Sequence, residues 1–223
     1  MSSYVTSDIT NASENTIVVK GKPISELISD GTPAYLVLLL GGVEPTPEKE
    51  RLVNALVSAS VDHGLWPPST IATRLVAGAG GDLQKGIIAG LSCMGEAHGP
   101  ISTTVEFLTK YTPGGPLPGR VPGFGHPVHS EDPRKKPIRD LLSELGWESA
   151  LDKLVDIESR LPVKANLAGL LAACCIHIGL NPYSAQLVLL LGRIIGLTAH
   201  YSEQKLSKQG LLVFNPTSGT FSK

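Results

Sequence analysis

Five side chains stand out by their type and setting. Three histidines sit at or beside glycines: His63 in Asp62-His63-Gly64, His98 in Gly95-Glu96-Ala97-His98-Gly99, and His126 in Gly123-Phe124-Gly125-His126-Pro127. Two arginines accompany them, Arg134 in Asp132-Pro133-Arg134 and Arg193 in Leu191-Gly192-Arg193-Ile194-Ile195. An imidazole titrates near neutrality, so it can donate a hydrogen bond to a carbonyl oxygen or move a proton. A guanidinium is a planar two-pronged donor that suits a carboxylate better than lysine does. Arg193 falls in the most apolar stretch of the chain. A buried guanidinium without a partner is costly, so Arg193 calls for an anion, either a substrate or a buried acid.

These side chains need elements to hold them. The stretch from Thr112 to Pro137 has six prolines before Pro137 and five glycines between Gly114 and Gly125, so most of it is loop. A loop this long that also carries two histidines and two arginines points to function. Helices flank it. Thr46-Pro47-Glu48-Lys49-Glu50 combines a hydroxyl N-cap, a proline at the first position and acids in the first turn. Leu52, Val53, Leu56, Val57 and Ser60 continue as one stripe until Asp62-His63-Gly64. Further helices are expected over 67–77, 82–94, 101–111, 136–145, 148–160, 165–178 and 182–197, with shorter ones near 22–31 and 34–40. Gly86, Ala89, Gly90 and Ser92 give the 82–94 helix a small-residue face that suits a buried hairpin or a subunit interface. Residues 1–16 read as a flexible tail, with at most a short strand at Thr16-Ile17-Val18-Val19. Residues 200–223 read as a polar tail with an apolar patch at Leu211-Leu212-Val213-Phe214. With no strand ladder or internal repeat in evidence, the class is all-α.

The bulk numbers exclude several roles. With 42% hydrophobic and 17% charged residues in 223, the chain is an ordinary globular one, large enough for a real core. A net charge of −1 and no basic block argue against nucleic-acid binding. Cys93, Cys174 and Cys175 form neither a disulfide framework nor a zinc pattern, so no metal is expected and the thiols read as reduced. The polar N-terminus is no secretory signal, and the longest apolar runs fall short of the ~20 residues of a membrane span. The expectation is a cytoplasmic protein without a membrane role.

Pro122-Gly123-Phe124-Gly125-His126-Pro127-Val128 followed by Asp132-Pro133-Arg134 resembles the glycine–histidine and D-P-R signature of the citrate synthase and citryl-CoA lyase family. Val61-Asp62-His63-Gly64 with Ser69, Thr70 and Arg74, the Gly95–Gly99 turn, and Leu191–Leu197 continuing into His200-Tyr201-Ser202-Glu203-Gln204 agree with it in order. Gly21-Lys22-Pro23-Ile24 and Tyr201–Leu211 look closer to the C-terminal module of ATP-citrate lyase, and the chain's length resembles that of stand-alone lyase-like members. The resemblance implies a large helical domain (17–100 with 183–223), a small helical domain (101–182), a cleft between them and a homodimer. It implies carbon–carbon bond formation or cleavage next to a coenzyme A thioester, with no metal. On the matched positions His126 serves the electrophilic carbonyl, His98 the thioester enolate, and His63, Arg134 and Arg193 bind the carboxylate substrate. Gly123 and Gly125, in the Gly114–Gly125 loop, line the coenzyme A. Arg120, Lys135 and Lys136 are candidate contacts to its phosphates or else solvated surface charges. Arg74, His129, His177 and His200 read as structural.

Two positions depart from the family. Its catalytic aspartate is replaced by Asn166, and no Asp or Glu occurs between Glu158 and Glu203. An amide cannot accept a carbon-bound proton, and general-base help is worth roughly 10²–10⁴-fold. Near the C-terminus, Val213-Phe214-Asn215-Pro216 lacks the family's arginine before proline. The readings that follow are a decarboxylating donor with Asn166 bonded to the leaving carboxylate, slow cleavage of an alkylcitryl-like thioester, or an introduced substitution that traps substrate. A non-catalytic coenzyme A-binding homologue is the reading from another class, and a helical scaffold for protein partners is a third.

Overall fold

The computed structural model describes residues 7–125, 131–207, 213–215 and 220–222. The chain opens with three short antiparallel strands, β1 (Thr10–Ser13), β2 (Thr16–Val19) and β3 (Lys22–Pro23), in the order β1-β2-β3. Ten helices follow among the described residues: α1 (Ile24–Asp30), α2 (Pro33–Leu40), α3 (Pro47–Ser60), α4 (Pro68–Gly78), α5 (Leu83–Ser92), α6 (Ile101–Lys110), α7 (Lys135–Glu144), α8 (Asp152–Arg160), α9 (Leu167–His177) and α10 (Pro182–Leu206). A 3₁₀ turn, Glu148–Leu151, precedes α8, and β4 (Val213–Asn215) pairs with β5 (Thr220–Ser222).

Side-chain caps set the helix starts. Thr32, Thr46, Asp82, Asn166 and Asn181 each accept a backbone N–H from the first turn of α2, α3, α5, α9 and α10. Helix α9 is buried on nearly every side, including Leu170 and Leu171, as befits a helix that is apolar all round. One continuous core joins Leu38 of α2, Leu52 and Leu56 of α3, Ile101 and Leu108 of α6, Leu142 of α7, Ile157 of α8 and Val188 of α10 to it. The core thus draws on both segments expected to form domains.

Helix α10 is the one helix among the described residues long and apolar enough to cross a bilayer by length and composition. It serves instead as a central helix, packed against α3, α4, α5 and α6. It also corrects the expected stop at Leu197. His200 bonds Asp62 at 3.0 Å, the Tyr201 hydroxyl donates to the Gly81 carbonyl at 2.7 Å, and Glu203 pairs with Arg74. These polar anchors carry the helix to Leu206. The hairpin of β1 and β2 is a second correction, because it takes in residues 10–13 of the expected tail. Finally, part of the small-residue face of α5 is covered from within the chain. A Cβ at Gly86 would lie 2.7 Å from Tyr201, and one at Gly90 would lie 2.8 Å from Leu197. Gly86 and Gly90 are thus covered within the chain, whereas Ser92 on the same helix stays exposed.

Candidate active site

The site begins where α3 meets α10. A Cβ on Gly192 or Gly196 would collide with the carbonyl oxygen of Val57 or Val61, so the two helices cross backbone on backbone. This crossing sets Arg193 of α10 beside His63, just past the end of α3. Asp62 steadies that bend: its carboxylate takes the Gly64 N–H at 3.1 Å and the His200 contact.

Arg193 is only 6% exposed, and its Nη1 meets His63 Nδ1. A guanidinium can only donate, so Nδ1 accepts and the imidazole proton lies on Nε2. His63 Nε2 and Arg193 Nε are both buried with no hydrogen-bond partner among the described residues. These are two unused donors on a pair that lines the cleft. Burial, then Arg193, His98 and Arg134, push the His63 pKa down to about 3, so the ring is neutral. Burial and the Arg134 charge lower Arg193 to about 10, which leaves it charged near neutrality.

His98 stacks on His63, with ring centroids 5.3 Å apart and planes 15° off parallel. It follows a tight turn closed by Gly95 and His98, whose backbones exchange bonds of 2.8 and 3.0 Å. Its Nε2 lies 3.0 Å from the hydroxyl of buried Ser69, at the start of α4. Burial and then Arg193 lower its pKa, so this ring too is held neutral.

Arg134 is clamped by Asp132, through Nε to Oδ1 at 2.8 Å and Nη2 to Oδ2 at 2.7 Å, and its Nη1 reaches the Ala59 carbonyl at 3.3 Å near the end of α3. Asp132 is 2% exposed and also accepts the Leu167 N–H at 3.0 Å. Burial works to raise its pKa, but the bonds and charge of Arg134 and the Leu167 N–H outweigh it, and the carboxylate stays ionised.

The opposite wall is the segment Gly123-Phe124-Gly125, which lies along Lys164–Asn166. Gly123 has a φ of +81°, and a Cβ there would lie 2.8 Å from the Gly169 backbone, so glycine is required on both counts. The cleft has a volume of roughly 950 Å³ and is lined by His63, His98, Arg120, Gly123, Gly125, Arg134, Asn166 and Arg193. This architecture and the ordered motifs have a counterpart: the family model for the citrate synthase C-terminal domain matches residues 9–213.

The chain belongs to the citrate synthase family.

Among solved structures, citryl-CoA lyase from Hydrogenobacter thermophilus matches with a TM-score of 0.76 and 26% identity, over 90% of this chain and 87% of that one. ATP citrate lyase from Methanosaeta concilii shares the fold, with a TM-score of 0.81 at 18% identity over 100% of this chain and 42% of that one. Probable ATP-citrate synthase subunit 1 of Neurospora crassa is 25% identical over 232 residues, which are 87% of this chain and 35% of that protein. The chain thus spans about a third of the length of the curated relatives it matches.

In this citrate synthase family chain the structure brings together eight of the nine candidate residues. The ninth, His126, lies outside the described residues, as do His129 and Pro216. Of the two lysines, Lys136 fits the surface-charge reading and Lys135 fits neither. Lys135 is buried in an ion pair with Glu158 at 2.7 Å, and Lys136 pairs with Asp140 on the surface at 2.6 Å. Both line a separate groove of roughly 750 Å³ between α7 and the 3₁₀ turn, away from the histidines. Arg74 is a scaffold residue through Glu203, and His177 packs on Trp147, as their sequence settings suggested. The sequence reading missed the roles of Ser69 and Asp132, although both stood inside the matched motifs. It also missed Glu96, the only carboxylate among the described residues that line the cleft.

Proposed function

We propose that the chain makes or breaks a carbon–carbon bond next to a coenzyme A thioester, as a citryl-CoA lyase-type enzyme acting on a carboxylate-bearing substrate. One observation carries the reading: neutral His63 and charged Arg193 keep two buried donors unused in a cleft that also holds His98 and Arg134. Buried donors without partners are rare, and an anionic oxygen would satisfy them. On this reading Arg193, His63 and Arg134 hold the carboxylates. Neutral His98 donates to the thioester oxygen, where negative charge grows as an enolate forms. His126 assists at the other carbonyl, and Gly123, Gly125 and Arg120 line the coenzyme A arm. Similarity to citryl-CoA lyase over nearly the whole of both chains supports the reaction class. So does the M. concilii ATP citrate lyase, an aspartate-to-alanine variant of which was solved with (3S)-citryl-CoA.

Asn166 favours a second form of the same chemistry, in which the donor loses CO₂ instead of a proton and needs no base. The assay is thioester turnover with citryl-CoA, with acetyl-CoA plus oxaloacetate, and with malonyl-CoA followed by CO₂ release. Turnover of citryl-CoA is expected under the lyase reading, and CO₂ release under the decarboxylating one. Coenzyme A binding with no turnover of any of these would replace both with a non-catalytic homologue. A cytoplasmic homodimer completes the proposal; sedimentation at a monomer's mass would remove the dimer.

A further inference from the structure

Asn166 is tied down at both ends. Its Oδ1 accepts the N–H groups of Ala168 at 2.9 Å and Gly169 at 3.4 Å, as the N-cap of α9. Its Nδ2 donates to the Gly125 carbonyl at 2.7 Å. Donors on one side and an acceptor on the other permit one orientation of the amide. Two backbone bonds, Asn166 N–H to Gly123 at 2.9 Å and Gly125 N–H to Lys164 at 2.9 Å, run beside it. The Gly169 backbone closes the contact, since a Cβ there would lie 2.5 Å from the Gly123 carbonyl oxygen. Of the bonds described between Gly123–Gly125 and residues 164–166, the one from Nδ2 is the only one that a side chain supplies.

We propose that Asn166 is a positioning residue whose amide fastens the Gly123–Gly125 wall of the cleft to the start of α9 independently of pH. An ionised carboxylate cannot do this job, because it only accepts. One oxygen could cap α9, but the other would face the Gly125 carbonyl, acceptor against acceptor. Only the protonated acid could make both contacts. The amide is thus more than a lost base: it holds the segment leading directly into His126, and an aspartate put back at this position would disturb that segment whenever it ionised.

The sign follows from linkage. The wall favours the protonated form of an acid at 166, so its folded pKa rises above its unfolded one. Stability relative to wild type is then kept at low pH and lost as pH rises through the folded pKa. The ionisable groups around this point are Asp132 with Arg134 across Leu167, Glu158 bonded to the Ala165 N–H, Lys164 beside it, and Arg120, Glu96, Cys93, His63, His98 and Arg193 along the cleft. All are common to wild type and variant, so the difference between the two profiles isolates position 166.

The test compares wild type with Asn166→Asp and Asn166→Ser by thermal melting and by acetyl-CoA affinity from about pH 5 to about pH 8. Asn166→Asp is expected to approach wild type at the acid end. At the alkaline end it is expected to melt lower and bind roughly tenfold more weakly, the scale of one part-buried carbonyl left unpaired. Asn166→Ser keeps a good cap but cannot span to Gly125, so it should melt lower than wild type and bind more weakly by about the same amount at both ends. A constant offset between Asn166→Asp and wild type at every pH, or wild-type affinity in Asn166→Ser, would overturn the proposal. The affinity arm rests on the thioester reading, whereas the melting arm does not. If wild type binds no acetyl-CoA, that reading fails and the pH-dependence of the melting difference alone decides the fastener.

Discussion

At the residue scale, the site depends on keeping His63 neutral. Its pKa falls from 6.5 to about 3, mainly by burial, so between those values the unfolded chain binds a proton that the folded chain refuses. The stability this gives is complete above pH 6.5 and declines as pH falls toward 3. His63→Asn removes the titration. The loss of melting temperature between about pH 7.5 and about pH 5 should therefore be smaller than in wild type. It will not vanish, because His98 is shifted in the same direction. Asp132 holds Arg134 and the start of α9 together, so Asp132→Asn should cost about 3 kcal/mol in urea unfolding, the scale of a buried pair left with one partner. The double variant Asp132→Asn with Arg134→Gln should lose less than the two single losses added. A full sum would mean that the two side chains act independently. His63, His98, Arg134 and Arg193 were legible in the sequence because each sits in a short motif with fixed neighbours. What Asn166 bonds was not, since its partner Gly125 lies 41 residues away in the chain.

At the element scale, the α3–α10 crossing is the feature most sensitive to a single methyl group. Gly196→Ala would drive a Cβ into the Val61 carbonyl, backbone against backbone. Its cost should reach the upper part of the ~1–3 kcal/mol range for overpacked cores, with substrate affinity falling as well, because His63 lies two residues past Val61. Urea unfolding together with acetyl-CoA titration checks both, and wild-type behaviour in Gly196→Ala would show that the helices can move apart freely. Most helices could be read from caps and stripes, as α3 was from Thr46-Pro47. The last turns of α10 could not, because polar contacts from His200, Tyr201 and Glu203 carry them where hydropathy fades. Strand β1 was missed for the opposite reason: Thr10-Asn11-Ala12-Ser13 is exposed throughout and shows no alternation.

At the scale of the whole molecule, the three thiols should divide sharply. Burial raises Cys174 to about 12 and Cys175 well above its ordinary value, and both lie in the core. Cys93 is exposed and lines the cleft. Titration of the native protein with a thiol reagent near pH 8 should therefore modify Cys93 alone, and acetyl-CoA should slow that reaction. In denaturant all three should react. Prompt labelling of a second thiol in the native state would mean that α9 opens far more readily than its packing implies.

The crossing at Gly192 and Gly196 also fixes how the cleft can breathe. Helices that touch through main chain have no compliant side chains between them to act as a bearing, so α3 and α10 must move as a single anvil with His63 and Arg193 on its face. Any widening or narrowing of the cleft is left to the other jaw, the Gly123–Gly125 segment and the α9 end to which Asn166 binds it, and must stretch the Arg134 bond to the Ala59 carbonyl that ties that jaw to α3. A probe pair spanning the two jaws would then report substrate entry, while a pair placed across the crossing would stay silent.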